Sequence, residues 1–453
     1  MSSQPSATIP SSLYRAIWRW HFFAGLIAIP FMLLLATTGG LYLFKDEIDR
    51  TLFGYRNVVP VGAATLAPEA LVAAATDAVP GQAAIYRDPP LPDASSVVTL
   101  RTDAGDVKVF VDPYTGKVLD QVAANREFSW VLKKIHSLEY FGATLNHVIE
   151  AMGGFAIVLI VSGIYLWWPR NRPNRVARGG VATIRWQPGR RALWRDLHAV
   201  TGAYVGVIML LLAVTGMPWS GLWGGQVNAW ATQLGLGYPP GAWDNVPVSD
   251  QHLQHVVEKA GWTVENSPVP ESTLPMAVPS IGLNRAVAVA RDLGIAPGFE
   301  LALPATPEGV YSATIFPDDL GRQRILHIDQ YSGKPLVDLG FDQYGPVAQA
   351  IEWGINVHQG QEWGLFNQLL MAGTCLTIIV MSFAAIIMWW KRRPRGRVGV
   401  PPFPADRRVY TGLWLAALAV GVLFPVTGIG ILLMLAVDWL VIRTIAPLRR
   451  AFS

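Results

Sequence analysis

The sequence WHFFAG at residues 20–25 returns as LHAVTG at residues 197–202, and each copy opens a long apolar run. His21 and His198 each precede a glycine by four residues, and each run closes on Thr-Gly 17 residues after its histidine. A histidine near the start of a membrane helix is costly in free energy unless it has a function. Because the two histidines occupy equivalent positions, we expect them to share one function.

The amino-acid composition is that of a membrane protein. Of the 453 residues, 51% are hydrophobic and 15% are charged, and the 18 tryptophans suit membrane interfaces. Several apolar runs reach the roughly 20 residues that a helix needs to cross the hydrocarbon core. The single cysteine, Cys375, lies inside an apolar run, so the chain has neither a disulfide framework nor a thiolate metal cluster.

The distribution of basic residues sets the predicted orientation. Residues 170–195 carry eight arginines and residues 391–408 carry seven basic residues, which marks both loops as cytoplasmic. The first apolar run, about residues 22–44, is too long for a cleavable signal sequence and is expected to stay as an anchor with its N-terminus inside. The last run, 410–445, is broken by Pro425 and is expected to form two short spans.

These patterns predict a mainly α-helical membrane protein with a tandem-repeat bundle of about six transmembrane helices and two exported α+β domains. Helix-like and strand-like patterns follow one another in both soluble regions. The predicted boundaries are a disordered cytoplasmic tail at 1–13, a first helix at 14–44, a first exported domain at 45–130, a second helix with an exported extension at 131–169, a basic loop at 170–193, a third helix at 194–217, a second exported domain at 218–357, a fourth helix at 358–390, a second basic loop at 391–408, a C-terminal hairpin at 409–446 and a cytoplasmic tail at 447–453.

The second and fourth helices also match one another. His136 lies 31 residues before Trp167 and His358 lies 31 residues before Trp389, with a glycine six residues after each histidine. The chain is therefore predicted to be a tandem repeat, in which each copy is a helix, an exported domain and a second helix. Parallel repeats pack about an axis along the membrane normal, so equivalent residues are expected to face each other across it.

The histidines fall into two predicted layers. His21 and His198 lie at the cytoplasmic ends of equivalent helices, and His136 and His358 lie at the exported ends of the other pair. His147 follows His136 by 11 residues, shares its face if the helix is continuous, and is a further candidate for the outer layer. Facing imidazoles hold a haem iron at both axial positions in helical bundles. Two layers predict two haems and an electron path across the membrane.

Other chemistries have less support in the sequence. A proton-driven transporter normally needs intramembrane carboxylates, and the predicted helices are nearly bare of Asp and Glu. The chain has no glycine-rich phosphate or dinucleotide motif, so electrons are expected from a membrane quinol or a separate reductase. Taken singly, each histidine also fits an ordinary interfacial or loop role, and it is the repeat that favours pairing.

Two short motifs carry a resemblance to a known family. DPYTG at residues 112–116 resembles the signature turn of the PepSY domain, and DQYSG at 329–333 resembles a second copy, with Gln330 where the pattern prefers proline. Together with the His-x-x-x-Gly and Trp-Trp helices, about residues 14–395 resemble a PepSY-associated transmembrane protein. That family consists of bacterial inner-membrane proteins linked to iron uptake, and some are siderophore reductases that bind two b-type haems.

The resemblance implies a haem b-dependent oxidoreductase that reduces a ferric siderophore on the periplasmic side of the bacterial inner membrane, with both termini cytoplasmic. Reduction suits iron release because hard oxygen ligands hold Fe(III) far better than Fe(II). Four tryptophans near the exported side are candidates for a chelate platform, although membrane anchoring is the simpler account of them: Trp219, Trp223, Trp353 and Trp363.

The expected partners are the ferric siderophore, the electron donor and lipid, and no nucleic acid is expected. Two other functions stay open on the sequence. One is a non-enzymatic PepSY membrane module that binds or inhibits a periplasmic partner such as a peptidase. The other is a transporter of iron chelates.

Overall fold

The computed structural model describes residues 12–169, 179–186, 190–244, 246–273, 278–401, 408–442 and 444–452. Most of the predicted N-terminal tail and parts of both basic loops lie outside these residues. The chain divides into two compact units. The helical unit comprises residues 1–40, 134–225 and 369–453, and the sheet unit comprises residues 41–133 and 226–368.

The elements are numbered in chain order. The α-helices are α1 (Ser12–Tyr42), α2 (Lys45–Thr51), α3 (Gly54–Asn57), α4 (Pro68–Ala78), α5 (Phe128–His136), α6 (Asn146–Trp167), α7 (Arg190–Gly216), α8 (Trp223–Gln233), α9 (Gly282–Asp292), α10 (Pro346–His358), α11 (Leu365–Arg392), α12 (Arg408–Leu423), α13 (Pro425–Ala436) and α14 (Ala446–Ala451). The strands are β1 (Gln82–Arg87), β2 (Ser96–Thr102), β3 (Gly105–Val111), β4 (Val118–Ala123), β5 (Val248–His252), β6 (Pro268–Pro270), β7 (Glu300–Ala302), β8 (Val310–Ile315), β9 (Arg324–Asp329) and β10 (Pro335–Gly340).

Within the described residues, several helical segments are long and apolar enough to cross a membrane, and the protein is a multi-pass membrane protein. The five long segments are Ser12–Tyr42, Ala143–Trp167, Arg191–Trp219, Leu365–Arg392 and Pro425–Ile442. A shorter apolar helix, Trp414–Leu423, lies within α12. The sequence predicts about six spans, and the described helices supply five of full length with this shorter one beside them.

The C-terminal apolar run is bent sharply. α12 ends at Leu423 and α13 begins at Pro425, which has no N–H with which to continue the helical hydrogen bonds. A Cβ added to Gly428 would lie 2.5 Å from the Gly421 Cα. Residues seven apart in a straight helix are about 10 Å apart. The two helices therefore fold back on one another at the predicted break.

α5 and α6 are separate helices. α5 ends at His136, and Leu138 at φ 60° and Gly142 at φ 142° carry the chain through left-handed backbone before α6 begins. Side chains disfavour this backbone region, whereas glycine adopts it without strain. A continuous helix through residues 131–169, the condition that would place His136 and His147 on one face, is therefore wrong.

The second repeat breaks in the same way. α10 ends at His358, Gly360 and Gly364 adopt φ angles of 77° and 57°, and α11 begins at Leu365. The glycine six residues after each histidine is thus a backbone requirement of the turn into the membrane helix.

The sheet unit contains one antiparallel sheet of eight strands in the order β10-β9-β8-β7-β1-β2-β3-β4. Each predicted exported domain supplies four of these strands, and the halves meet where β1 pairs with β7, with Tyr86 opposite Leu301. An unpaired edge strand exposes backbone N–H and C=O groups, and this pairing satisfies two such edges at once. The two soluble regions, predicted as separate domains, thus share a single sheet.

α4 and α9 lie on one face of this sheet and close its main core. Leu71 and Ala75 of α4 share that core with Ala286 and Val287 of α9. The alanines let the helices approach closely, and all four side chains are buried. The core is therefore continuous across both repeats, with one helix contributed by each.

The two signature turns have the same geometry. Asp112 Oδ1 accepts a hydrogen bond from the Tyr114 backbone N–H at 2.9 Å, and Asp329 Oδ1 accepts one from Tyr331 at 2.9 Å. The glycine that closes each turn lies at φ 74° or 71°. Gln330, which replaces the usual proline, donates to three nearby backbone carbonyls at 2.7–3.0 Å. The second copy keeps the turn despite the substitution.

One buried histidine makes the sheet unit sensitive to acid. His327 is fully buried in β9, and its Nδ1 lies 2.9 Å from the Ser312 Oγ. Its Nε2 has no hydrogen-bond partner among the described residues. Burial lowers the pKa of His327 from 6.5 to about 3, because a charged ring would lose its hydration there.

We predict that the sheet unit loses stability as the pH falls below 6.5, the ordinary pKa of His327. Below this pH the unfolded chain binds a proton at His327 and the folded chain does not. The free energy of unfolding therefore falls by up to about 1.4 kcal/mol per pH unit. Thermal unfolding of the full protein in detergent, followed by infrared absorption of the sheet, measures this between pH 7.5 and 5.5.

The matched variants are His327→Leu and His255→Leu, the second at an exposed position. His327→Leu should flatten the pH dependence, and His255→Leu should leave it as in the wild type. Equal slopes in all three proteins would contradict the assignment.

Candidate functional site

His21 and His198 come together in the helical unit. His21 lies in the third turn of α1 and His198 lies in the third turn of α7. Their ring centroids are 6.1 Å apart, and the ring planes are inclined at 77°. The pairing predicted from the repeat is thus present in the structure.

Ser162 of α6 sets the protonation of the His21 ring. His21 Nδ1 lies 2.9 Å from Ser162 Oγ, and that hydroxyl donates its proton to the Val158 carbonyl at 2.6 Å. A hydroxyl has one proton, so Ser162 accepts from His21 and Nδ1 carries the hydrogen. Nε2 therefore holds the lone pair, the form in which an imidazole binds a metal.

His198 is held in the same tautomer by a backbone carbonyl. Its Nδ1 donates to the Met381 oxygen at 3.2 Å, and the Leu159 backbone makes the corresponding contact with His21. Leu159 and Met381 are 222 residues apart, the offset that relates the second helix of each repeat. A Cβ on the glycine one turn after each histidine would lie 3.8 Å from Leu159 and 3.2 Å from Met381. The repeat symmetry therefore extends to the surroundings of both rings.

A buried ion pair fixes the start of α7 beside this site. Asp196, two residues before His198, has a fully buried side chain. Its two oxygens accept from the Arg185 guanidinium at 2.7 and 2.9 Å, and one of them also accepts from the Arg185 backbone N–H at 3.2 Å. A bidentate pair of this kind holds a fixed orientation, so it anchors the preceding loop to the helix that carries His198.

His136 repeats the arrangement of His21 at the end of α5. Its Nδ1 lies 2.8 Å from Thr38 Oγ1, which donates to the Leu34 carbonyl at 2.7 Å. Thr38 therefore accepts from His136, and Nε2 again holds the lone pair. Burial lowers the pKa of His136 to about 4, so the ring is neutral at pH 7.

The sequence matches the family described as PepSY-associated TM region over residues 18–392. The chain belongs to this family. The match spans both repeats, both signature turns and all five candidate histidines, so it confirms the resemblance found in the sequence. No curated protein matches the chain.

The other two candidate histidines of this PepSY-associated membrane protein have different surroundings. His147 lies in the first turn of α6 with 48% of its side chain exposed, and its Nδ1 is 3.7 Å from Glu150 Oε2. That buried carboxylate also accepts from the Leu222 backbone N–H at 3.0 Å. His358 is half-buried at the end of α10 in the sheet unit. His136, His147 and His358 thus differ from one another in burial and in surroundings more than His21 and His198 do.

The histidine pair supplies two imidazole nitrogens as ligands for a bound group. In the part of the chain that the structure describes, no cluster of three or more His, Cys, Asp or Glu side chains is placed to hold a metal ion. A protein zinc site needs three or four such ligands. A haem iron takes four nitrogens from the porphyrin and only its axial ligands from the protein.

The paired tryptophans that end α6 and α11 have a local structural role. Trp167 donates from its indole N–H to the Val181 carbonyl at 3.0 Å, and Trp389 donates to Val398 at 2.8 Å. Arg393 lies 3.7 Å from the centre of the Trp390 ring. These contacts tie each basic loop to the helix that precedes it, which accounts for the Trp-Trp motif by structure within the chain.

The sheet unit contains a cavity of about 680 Å³. Its wall includes Trp353 and three acidic side chains, Asp318, Asp319 and Glu362. Asn356 donates to Glu362 at 2.6 Å and to the Asp318 backbone carbonyl at 2.8 Å, which holds two sides of the cavity together. This volume is in the range of small-molecule sites.

The cavity includes one of the four candidate platform tryptophans. Trp363 packs against Trp353 with ring centroids 6.2 Å apart. Trp223 instead belongs to the helical unit, where it donates to the Leu423 carbonyl at 3.0 Å and stacks on Phe424. Trp223 therefore has an anchoring role.

Sequence analysis missed Ser162, Glu150 as a partner of His147, and the acidic cavity. The signal for Ser162 was available, because a serine followed by glycine is unusual inside an otherwise apolar run. The cavity had no such signal, since its wall combines short separate segments between residues 318 and 362.

Proposed function

We propose that this protein binds haem between His21 and His198 and passes electrons across the bacterial inner membrane to a ferric chelate on the exported side. The observation that supports it is the pair of imidazoles 6.1 Å apart with both Nδ1 positions occupied by hydrogen bonds. Each ring thereby has a single lone pair, on Nε2, with which to bind iron.

The spacing of the rings would allow His21 and His198 to hold one iron between them. A metal–imidazole bond is about 2 Å long and each ring centre lies roughly 1 Å beyond its ligating nitrogen, so two such ligands would place their ring centres about 6 Å apart. The separation of 6.1 Å agrees with this value.

The protein residues supply orientation and an apolar environment. A haem bound here would accept and release one electron at a time. Ser162 and the Met381 carbonyl hold the two rings by Nδ1, and Gly25 and Gly202, one turn beyond each histidine, let the side chains of Leu159 and Met381 pack closely against α1 and α7. The apolar helices exclude water, which strengthens every electrostatic effect on the site.

We also propose a second haem toward the exported side, for which His136 is the best-supported ligand. It is neutral, and its Nε2 lone pair is available for the reason given for His21. His358 and His147 are the candidates for its other ligand. The electron donor is a membrane quinol or a separate reductase, because the sequence has no nicotinamide- or flavin-binding motif.

The substrate side of the proposal rests on the cavity of the sheet unit. One electron reduces the chelated Fe(III) to Fe(II), which oxygen ligands hold less tightly. The carboxylates of Asp318, Asp319 and Glu362 give the wall negative charge, while Trp353 offers an aromatic surface. A ferric chelate with no net charge or a positive charge therefore suits this wall better than an anionic chelate.

We predict that the purified protein has the visible spectrum of a haem protein with two histidine ligands. His21→Ala and His198→Ala should each remove one haem, because a single remaining imidazole leaves one axial position without a protein ligand. Haem content per chain and the reduced-minus-oxidised spectrum measure the loss. His255→Ala, at an exposed position of the sheet unit, is the control.

A colourless wild-type protein after expression with added haem would overturn the haem proposal. Such a protein that co-purifies with a peptidase would instead favour a binding module. Uptake of intact chelate into sealed vesicles without a reductant would favour a transporter.

We predict that Asp318→Asn combined with Glu362→Gln raises the KM for a cationic ferric chelate and leaves the KM for an anionic chelate unchanged or lower. Each partly exposed charge is worth about 0.2–1 kcal/mol, so the double variant should raise KM roughly two- to thirtyfold. Stopped-flow oxidation of the reduced protein by each chelate measures this. Asp77→Asn, at an exposed position of α4, is the matched control, and equal effects on both chelates would contradict the charge argument.

A further inference from the structure

A hydroxyl residue followed by glycine faces a histidine at two places in the helical unit. Ser162 and Gly163 of α6 face one ring, and Thr38 and Gly39 of α1 face another. A Cβ added to either glycine would lie 3.2 Å from the Cε1 atom of the ring it faces. The two pairs therefore combine a hydrogen bond to Nδ1 with close packing of the same ring.

The hydroxyls can only accept from these rings. Each donates its single proton to a carbonyl four residues earlier in its own helix, at 2.6 Å for Ser162 and 2.7 Å for Thr38. A ring protonated on Nε2 instead would place two lone pairs against one another at Nδ1. The helix thereby selects one tautomer, and the energy that selects it is that of a buried hydrogen bond.

The glycines fix the position of the rings. A Cβ contact of 3.2 Å is tighter than ordinary van der Waals packing, so an alanine at either place would push the imidazole away from the hydroxyl. Thr38 and Gly39, the Thr-Gly that closes the first apolar run, thus have a chemical role: they bind and pack against the ring of His136.

We propose that these hydroxyl–glycine pairs are positioning devices that make His21 and His136 ligands through Nε2. Ser162 and Thr38 act through the histidines, by fixing the tautomer and by raising the electron-donating strength of the ring. The identity of the group bound at Nε2 rests on the proposed function, whereas the tautomer does not.

His198, the ring that faces His21, has a different hydrogen-bond partner at Nδ1. In the second repeat, Ala384 and Ala385 stand at the positions equivalent to Ser162 and Gly163. His198 has the backbone contact to the Met381 carbonyl, which no side-chain substitution removes, whereas His21 has the Ser162 hydroxyl in addition to the Leu159 backbone. The inner pair is therefore asymmetric, and side-chain changes in α6 weaken only its His21 half.

The direct test is the tautomer in the haem-free protein, measured from the 15N chemical shifts of labelled histidine. In the wild type the His21 and His136 rings should carry hydrogen on Nδ1. Ser162→Ala leaves His21 with the Leu159 backbone contact and should convert part of the His21 population to the other tautomer, with His136 unchanged; Thr38→Val should do the same at His136, with His21 unchanged. Ser162→Thr and Thr38→Ser keep the hydroxyl and should restore the wild-type signals.

The second test is the affinity for added haem. Loss of a group that orients a metal ligand weakens binding about 10- to 100-fold, so Ser162→Ala should lower the affinity of the inner site by that factor. Thr374→Val is the matched control, because Thr374 is a buried helix threonine bonded to the Leu370 carbonyl at 2.9 Å in α11. It should change the affinity less than twofold.

The third test separates packing from hydrogen bonding. Gly163→Ala should displace the His21 ring and weaken haem binding at the inner site, with the outer site unchanged. Gly373→Ala is its control, since a Cβ there meets no atom within 4 Å.

Wild-type tautomers in both Ser162→Ala and Thr38→Val would overturn the proposal, whatever the protein binds. If instead the wild type fails to bind haem while the tautomers respond as expected, the positioning role stands and the proposed function falls.

Discussion

The structure of the helical unit depends on how a neutral imidazole forms hydrogen bonds inside an apolar bundle. Such a ring has one N–H and one lone pair, and leaving either unpaired away from water costs about 1–3 kcal/mol. The bundle satisfies only the N–H. In His21, His198 and His136 the Nδ1 hydrogen is bonded within the bundle, and no described residue donates to Nε2. Three rings thus share one chemical state.

The repeat places two of these rings opposite one another without requiring identical surroundings. His21 and His198 occupy the same depth in equivalent helices, and Leu159 and Met381 contact them in equivalent ways. Their Nδ1 partners differ because the second repeat has lost the hydroxyl and kept the carbonyl. In the sheet unit the repeat acts differently, since the two copies join edge to edge and share one core. Duplication there gives one larger domain.

Features determined by local sequence could be predicted, and features that depend on distant pairing could not. The register of His21 and His198, the break at Pro425 and the turn at Asp112 follow from spacing and backbone chemistry within a few residues. The pairing of β1 with β7 does not, because strand composition does not identify which edge a strand will meet. The cavity was missed because its lining combines turns and one face of α10, and no sequence pattern indicates that these meet.

The break between α5 and α6 has a local signal in the sequence. The glycine six residues after each histidine matches between the repeats, and glycine is the residue that adopts left-handed backbone without strain. Leu138 at φ 60° shares that conformation without being a glycine, and no sequence rule would have placed it there. His136 therefore ends α5 and does not belong to α6, the helix that carries His147.

Family membership alone leaves a binding module and an electron-transfer protein equally open, and the proposal of a haem rests on the facing rings of His21 and His198. A lone pair on Nε2 without a partner is not by itself the mark of a ligand, because the fully buried His327 of the sheet unit has one as well. The helical unit differs in that two such rings, His21 and His198, face each other with their centroids 6.1 Å apart. A ligand that needs two lone pairs on opposite sides accounts for that pattern, and iron in a porphyrin is such a ligand. A peptidase-binding module would give no reason for it, because its partner would meet the soluble sheet.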